Sequence, residues 1–246
     1  MYTANLWHKL YLHRTKIIVL LLLLSAFQVD AQRRKAGLTV HRVDSDDKNI
    51  KYGFFLGGHQ NYYGLKYSDT FSTPEYANVS SITPNTSLGF NLGFMLNFRL
   101  ADQFTLRVVP VKIGLYQHRV EYNYTDGTVD QQLIESTRLE PGIFLKYRSI
   151  RRYNSRMYVI AGVSGSWRAG KEDLATTIDR LEIGRSNVKI EVGIGLERYF
   201  AFFKLAPELR YARGIGNVMN ETTNRWHNGI DRLVTHSFSL YFHFSD

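Results

Sequence analysis

Charged side chains recur at every second position in several short stretches of this 246-residue chain. Because successive side chains of a β-strand point to opposite faces, this spacing places both charge signs on one face. Such a face can hold a structural network of ion pairs, or it can relay a proton or an ion. The spacing favours the structural network and leaves the relay open. The residues are Arg99, Arg107, Lys112, Arg138, Lys146, Lys189, Lys204, Arg210, Glu140, Glu191, Glu197 and Glu208.

Groups that would carry catalysis or hold a metal are sparse. Cysteine is absent, so no thiol nucleophile or cysteine-based metal site is available. His59, His118 and His236 are dispersed, and lone histidines are more often surface or packing residues than ligands. The sequence has no glycine-rich phosphate loop, no paired metal-binding histidine motif and no Gly-x-Ser-x-Gly elbow. We therefore predict no catalytic, cofactor-binding or metal site, and no enzymatic activity.

The first 31 residues have the three parts of a secretory signal peptide. Lys9, Arg14 and Lys16 form a basic start, an apolar run follows at 17–27, and residues 29–31 (Val-Asp-Ala) offer a cleavage site. The apolar run is too short to cross a bilayer as a helix, which needs about 20 residues. Export excludes the cytoplasm as the working compartment. It also argues against nucleic acid as the partner of this chain, although the net charge is +9.

Apolar and polar residues alternate in four clear runs, which predict strands. An aromatic content of 14% also suits strands and membrane interfaces. The runs lie at 90–100, 188–196, 203–211 and 234–244, with apolar faces that include Phe90, Phe94, Val188, Ile194, Leu209, Phe238 and Phe242.

Four noisier segments bring the number of predicted strands to eight. In residues 104–124 the apolar positions change phase near Pro110, where a β-bulge would absorb the extra residue and tolerate the missing N–H. The continuous apolar run at 156–167 leaves its facing undecided. The remaining two segments are 52–66 and 134–148.

The predicted connections alternate between long and short, which places extended loops at one rim of a barrel and tight turns, with both termini, at the other. The long connections are 68–88, 125–133, 169–187 and 212–233, and the short ones are 101–103, 149–155 and 200–201.

Alternation alone fits either a soluble barrel with an apolar cavity or a membrane barrel with a polar lumen. Five glycines lie on the polar face, where glycine relieves crowding in a narrow lumen but has no purpose on a solvated exterior. They are Gly93, Gly114, Gly142, Gly193 and Gly195. We predict an all-β fold: an eight-stranded antiparallel transmembrane β-barrel in the cell outer membrane, with long extracellular loops, short periplasmic turns and both termini periplasmic.

Three stretches carry a family resemblance. Residues 139–149 are Leu-Glu-Pro-Gly-Ile-Phe-Leu-Lys-Tyr-Arg-Ser, residues 203–211 are Phe-Lys-Leu-Ala-Pro-Glu-Leu-Arg-Tyr, and residues 52–57 are Tyr-Gly-Phe-Phe-Leu-Gly. They resemble the PorT family, the outer-membrane barrels of the type IX secretion system, and the resemblance covers essentially all of the chain after residue 31. It implies a role in exporting proteins with a C-terminal secretion domain, and in gliding motility where that occurs. It implies no catalytic residues.

We expect a cleaved signal peptide at 1–31, a periplasmic segment at 32–49 and a barrel at 50–246. The segment 32–49 runs from basic to acidic residues and is either a charged tether for a partner or a disordered leader. Expected partners are outer-membrane lipid and other secretion-system proteins, with no nucleic acid, no small-molecule substrate and no cofactor. Two alternatives stay open: a passive structural or adhesive barrel, and an outer-membrane lipid-modifying enzyme with a nucleophile and base near the outer rim.

Overall fold

Ten β-strands make up most of the described chain. The structure is a computed structural model that describes residues 40–42, 46–170, 183–219 and 229–246, so the predicted signal peptide lies outside the described residues. The strands are β1 (Ile50–Tyr67), β2 (Val79–Asn85), β3 (Ser87–Arg99), β4 (Phe104–Tyr124), β5 (Val129–Leu139), β6 (Gly142–Arg148), β7 (Ser155–Ala169), β8 (Ser186–Tyr199), β9 (Lys204–Gly214) and β10 (Ile230–Ser245). Two short 3-10 helices, Asp69–Ser72 and Pro74–Tyr76, lie between β1 and β2. In the described ranges no helix has the length and apolar content to cross a membrane.

The strands form one closed antiparallel ring. β1 pairs with β10 on one side and with β3 on the other, so the first and last strands close the sheet. Around the ring the order is β1, β3, β4, β6, β7, β8, β9 and β10. β2 continues β3 across Thr86, and β5 continues β6 across Glu140 and Pro141, so each of these pairs fills one position. The predicted eight-stranded antiparallel barrel is confirmed.

Each strand presents an apolar face to the outside of the ring. Phe94 on β3 is 62% exposed and Ile194 on β8 is 56% exposed, as the alternation predicts. The facing of residues 156–167, which the sequence left undecided, is also resolved. Met157, Val159 and Val163 point outward, whereas Tyr158 and Ile160 are buried inside.

A β-bulge on β4 confirms the phase change predicted at Pro110. Phe94 pairs with Val111 and Leu96 pairs with Val108, so Val109 and Pro110 together oppose a single residue of β3. Because of the extra residue, the apolar side chains of β4 face the outside of the barrel both before and after the bulge. Consequently Arg107 and Lys112, which an uninterrupted strand would turn to opposite faces, are both buried in the lumen.

Aromatic rings lie directly over inward-facing glycines. A Cβ atom added to Gly195 would lie 2.3 Å from Cζ of Tyr158, and one added to Gly93 would lie 2.6 Å from Cζ of Phe55. Any larger residue at these positions would displace the ring above it. The side chains in the lumen are therefore packed so closely that the wall has glycine, without a side chain, beneath these rings. Such filling is expected for eight strands.

The two ends of the barrel carry different connections. The turn end holds 100–103, 149–154 and 200–203, with Asn49 and Asp246 beside them. The loop end holds 68–78, 125–128 and the described residues 170, 183–185, 215–219 and 229. The predicted long connection at 125–133 is wrong because β5 begins at Val129. The side chain of Asp126 accepts hydrogen bonds from the backbone N (2.9 Å) and hydroxyl (2.6 Å) of Thr128, and Gly127 has φ 84°, so a tight turn joins β4 to β5.

An apolar cluster closes the inside of the loop end. Val120 and Leu233 are fully buried in it, and burial of such a side chain contributes about 1.5–3 kcal/mol. The prediction that 68–88 is one long loop is wrong, since Val79 and Ile82 enter this cluster and the residues around them pair with β4. The described members are Tyr63, Val79, Ile82, Val120, Tyr122, Ile183, Val218, Ile230 and Leu233.

Candidate functional site

Charged side chains fill the lumen between the turn end and the apolar cluster. Four glutamates, each about 1% exposed, face ten buried lysines and arginines, so cations outnumber anions among the buried described residues. The glutamates are Glu140, Glu191, Glu197 and Glu208, and the cations are Lys51, Arg107, Lys112, Arg138, Lys146, Arg148, Arg156, Lys189, Lys204 and Arg210. Every inward charge predicted from the sequence lies in this lumen except Arg99, which is part-exposed at the turn end and pairs with Asp102 at 2.7 Å.

Glu140 lies where β5 passes into β6 and accepts from four side chains. Its Oε2 atom is 2.8 Å from Nζ of Lys112 and receives the hydroxyl of Tyr116 at 2.7 Å. Its Oε1 atom pairs with Lys189 and receives the hydroxyl of Ser166 at 2.8 Å. A carboxylate has about four lone-pair positions, so Glu140 is saturated.

Glu197 on β8 gathers three cations at the turn end of the lumen. It pairs with Lys146, with Nε of Arg156 at 2.5 Å and with Nζ of Lys204 at 3.3 Å. The ammonium of Lys146 also lies 3.7 Å from the ring centroid of Tyr158. Because three strands contribute the cations, this one carboxylate joins β6, β7 and β9 to β8.

Glu208 and Glu191 form the third cluster and share Arg210. The Nε atom of Arg210 is 2.7 Å from Glu208, and its Nη1 atom is 3.0 Å from Glu191. Glu208 also accepts from Arg107 and from the hydroxyl of Tyr158, each at 2.7 Å. The predicted pairing of opposite charges is thus present, but mostly as clusters in which one charged group contacts several partners.

The lumen holds almost no open space. Two internal cavities offer the centre of a water molecule about 20 Å³ near the loop end and about 10 Å³ near the turn end. A buried water needs roughly 10–15 Å³ by this measure. The described part of the barrel therefore gives no path for a solute, and the apolar cluster closes it further.

The histidines do not form a metal site. His59 and His118 are both buried beside Tyr116, with ring centroids 4.4 Å and 6.0 Å from that of Tyr116. His236 stacks on Tyr62 in the wall, with centroids 4.8 Å apart. His243, which the sequence pattern did not single out, lies with its Nε2 atom 3.3 Å from Glu208. No cluster of three potential ligands occurs among the residues described.

An N-terminal strap, the described residues 40–42 and 46–49, lies against the turn end. Arg42 and Lys48 pair with the C-terminal residue Asp246, and Arg42 donates to the carbonyl of Phe202 at 2.7 Å. The backbone N of His41 donates to Asn154 at 2.8 Å. The strap therefore contacts both the 149–154 and 200–203 turns and the last residue of the chain.

Asp46 anchors the other part of the strap to the lumen. Its carboxylate lies 2.7 Å from Arg156 and accepts from the hydroxyl of Tyr199 at 3.0 Å. Burial alone raises the pKa of this carboxyl, but the charge of Arg156 and the Tyr199 hydrogen bond outweigh burial and hold the pKa below its usual range. Asp46 therefore stays ionised and links the strap to the Glu197 cluster through Arg156.

The family of the chain follows from its sequence. A family model described as an outer membrane protein beta-barrel domain matches residues 31–220. The chain belongs to this family. Because the chain belongs to the outer membrane protein beta-barrel family, the exposed apolar faces of its strands contact lipid. The polar lumen agrees with this, since membrane barrels have polar interiors.

Solved structures of outer-membrane proteins are similar to the chain at low sequence identity. OprG from Pseudomonas aeruginosa is 11% identical over 78% of this chain and 94% of its own, with a TM-score of 0.46. Neisserial surface protein A is 14% identical over 77% and 95%, with a TM-score of 0.39. The outer membrane protease OmpT from Escherichia coli is 10% identical over 80% and 95%, with a TM-score of 0.35. No curated protein matches the chain.

Proposed function

We propose that this chain is a non-enzymatic outer-membrane component of the type IX protein secretion machinery, with a part in gliding motility where that occurs, and that it acts through contacts with partner proteins. The observation that carries the proposal is the closed lumen. Because charged clusters and an apolar cluster fill the barrel, an exported protein cannot pass through it, and any work in secretion must be done from the surfaces.

The residues that resemble the PorT family support the proposal through their places in the lumen. The stretch 139–149 supplies Glu140 and Lys146, and the stretch 203–211 supplies Lys204, Glu208 and Arg210. All five residues are ion-pair partners in the clusters around Glu140, Glu197 and Glu208. The resembling stretches thus supply part of the charged clusters that fill the lumen.

The proposal orients the barrel with its turn end in the periplasm, since short periplasmic turns and longer extracellular loops are usual for outer-membrane barrels. Both Val40 and Asp246 then face the periplasm. The strap lies against the turn end, where its own residues can contact a periplasmic partner. The outer surfaces left for other partners are the loop at 68–78 and the lipid-facing wall.

The absence of enzymatic activity is part of the proposal. The buried hydroxyls of Ser164 and Ser166 donate to the carboxylates of Glu191 and Glu140, so each is used as a structural donor. Within the part of the chain that the structure describes, neither hydroxyl has a histidine as its hydrogen-bond partner. A nucleophile activated by a base requires such an arrangement near a site that a substrate can reach.

Deleting the gene tests the proposal. Cargo with a C-terminal secretion domain should remain in the periplasm of the deletion strain and return to the medium when the full chain is expressed again. Re-expression of the Asn91→Ser variant should restore export equally well, because Asn91 lines the lumen and no cargo enters it. Cargo in the medium of the deletion strain would contradict the secretion role and leave a passive structural or adhesive barrel.

A further inference from the structure

Arg138 is a buried cation that lacks a carboxylate partner among the described residues. Its side chain points into the lumen from β5 and is 6% exposed, and its one described hydrogen bond is a long contact of 3.4 Å from Nη1 to Oγ of Ser166. On the neighbouring strand Arg168 is its directly opposed cross-strand partner. Two like charges in this position repel each other, and a guanidinium cannot relieve the repulsion by losing its proton.

The nearest carboxylate cannot neutralise Arg138. Glu140 receives the same Ser166 hydroxyl that Arg138 contacts, but Glu140 is already saturated by Lys112, Lys189, Tyr116 and Ser166. Glu191 also acts on these two lysines but is itself paired with Arg210 at 3.0 Å. Among the described residues, this half of the lumen therefore carries an excess of positive charge, and burying an uncompensated charge costs several kcal/mol.

A small cavity lies beside Arg138 and has unused hydrogen-bonding groups in its wall. It offers about 20 Å³ to the centre of a water-sized particle, and its lining includes Asn61, His118, Arg138, Asn187, Lys189 and Ser237. Asn61 is 2% exposed, and neither its amide nitrogen nor its amide oxygen has a described partner. The Nδ1 atom of His118, which is 4% exposed, is also unpartnered.

We propose that this cavity binds one monatomic anion of the halide class, chloride in nature, held by the guanidinium of Arg138 and the amide nitrogen of Asn61. An anion supplies the charge that Glu140 cannot and accepts from both donors, whereas water supplies no charge. The volume admits a particle about the size of one water and excludes tetrahedral anions such as phosphate or sulfate. This site does not depend on the proposed role in secretion.

Bromide, which gives a strong anomalous X-ray signal, is the probe. Crystals of the full folded chain grown or soaked in sodium bromide should show one anomalous peak in the cavity, within contact distance of Arg138 and Asn61. The Arg138→Gln variant should show none there. Density for water without an anomalous peak in the wild-type chain would overturn the proposal, and so would a peak of equal height in the variant.

A stability measurement covers the case in which the variant does not crystallise. At matched ionic strength, the wild-type barrel should unfold at a temperature about 2–4 °C higher in sodium chloride than in sodium gluconate, whose anion is too large for the cavity, because chloride binds only the folded state. Arg138→Gln should abolish this difference. Arg213→Gln, which removes an exposed arginine of the wall, should retain it. Equal unfolding temperatures of the wild-type chain in the two salts would overturn the proposal.

Discussion

Replacing Glu197 with glutamine should lower the free energy of unfolding by about 3–5 kcal/mol, the usual cost of removing one partner from a buried ion pair. The carboxylate is about 1% exposed and has Lys146, Arg156 and Lys204 around it. Glutamine keeps the shape of the side chain but removes the charge, so three buried cations lose their shared counter-ion. The penalty comes from those cations and not from a cavity.

The measurement is unfolding in urea, followed by the loss of the compact band that a folded barrel gives on an unheated gel. Glu135→Gln is the matched control, because Glu135 is exposed and, among the described residues, accepts a hydrogen bond from the amide of Gln117 alone, at 2.8 Å. That exposed substitution should change stability by less than about 0.5 kcal/mol. Equal stability of the two variants would mean that the lumen is hydrated and that its charges are screened by water.

Ile194→Arg should cost about 2–4 kcal/mol and impair assembly, since it places a cation at the middle of the lipid-facing wall. Ile194 is 56% exposed on the outside of the ring and lies near the centre of β8. Its directly opposed neighbours on the adjacent strands, Val159 and Leu209, are apolar and cannot neutralise the new charge.

Val188→Arg is the matched control for this substitution. Val188 lies on the same face of β8, is 51% exposed and is close to the loop end of the strand. An arginine there reaches the membrane interface, where the cost falls to about 0–1 kcal/mol. Refolding into lipid vesicles from urea measures both variants. If Val188→Arg proved as costly as Ile194→Arg, the assigned depth of β8 in the membrane would be wrong.

Most of the wall could be predicted from the sequence because a half-buried strand imposes a period of two on its residues. Phe94 and Ile194 lie outside, and Arg107 and Lys112 lie inside, as their alternation requires. Even the bulge at Pro110 was predictable, since an extra residue shifts that period and proline lacks the N–H that the ladder would need.

The loop end was not predictable in the same way. Residues 79–85 mix Val79 and Ile82 with serines, a threonine and Pro84, so no regular alternation shows. They form a strand because β4 extends far enough to pair with them and because distant residues such as Leu233 complete an apolar cluster. That information lies in contacts between segments that are far apart in the chain.

The partners within the lumen also had to come from the structure. The sequence gives the inward positions of Glu197 and Lys146, but the height at which each side chain lies depends on the register between strands. For the same reason it gave no sign that Asp46, before the first strand, reaches Arg156 inside the barrel. The membership of the family is shown at the level of outer-membrane barrels, and the closer resemblance to the PorT family remains a proposal.

Electrical recording across a planar lipid bilayer tests whether the lumen is closed. Purified folded chain, inserted from detergent with potassium chloride on both sides, should give no stepwise conductance, because the charged clusters and the apolar cluster leave no continuous path. A channel-forming porin recorded in parallel would show that the bilayer reports single insertions. Reproducible conductance steps from the wild-type barrel would contradict the account and would reopen the ion path through its lumen.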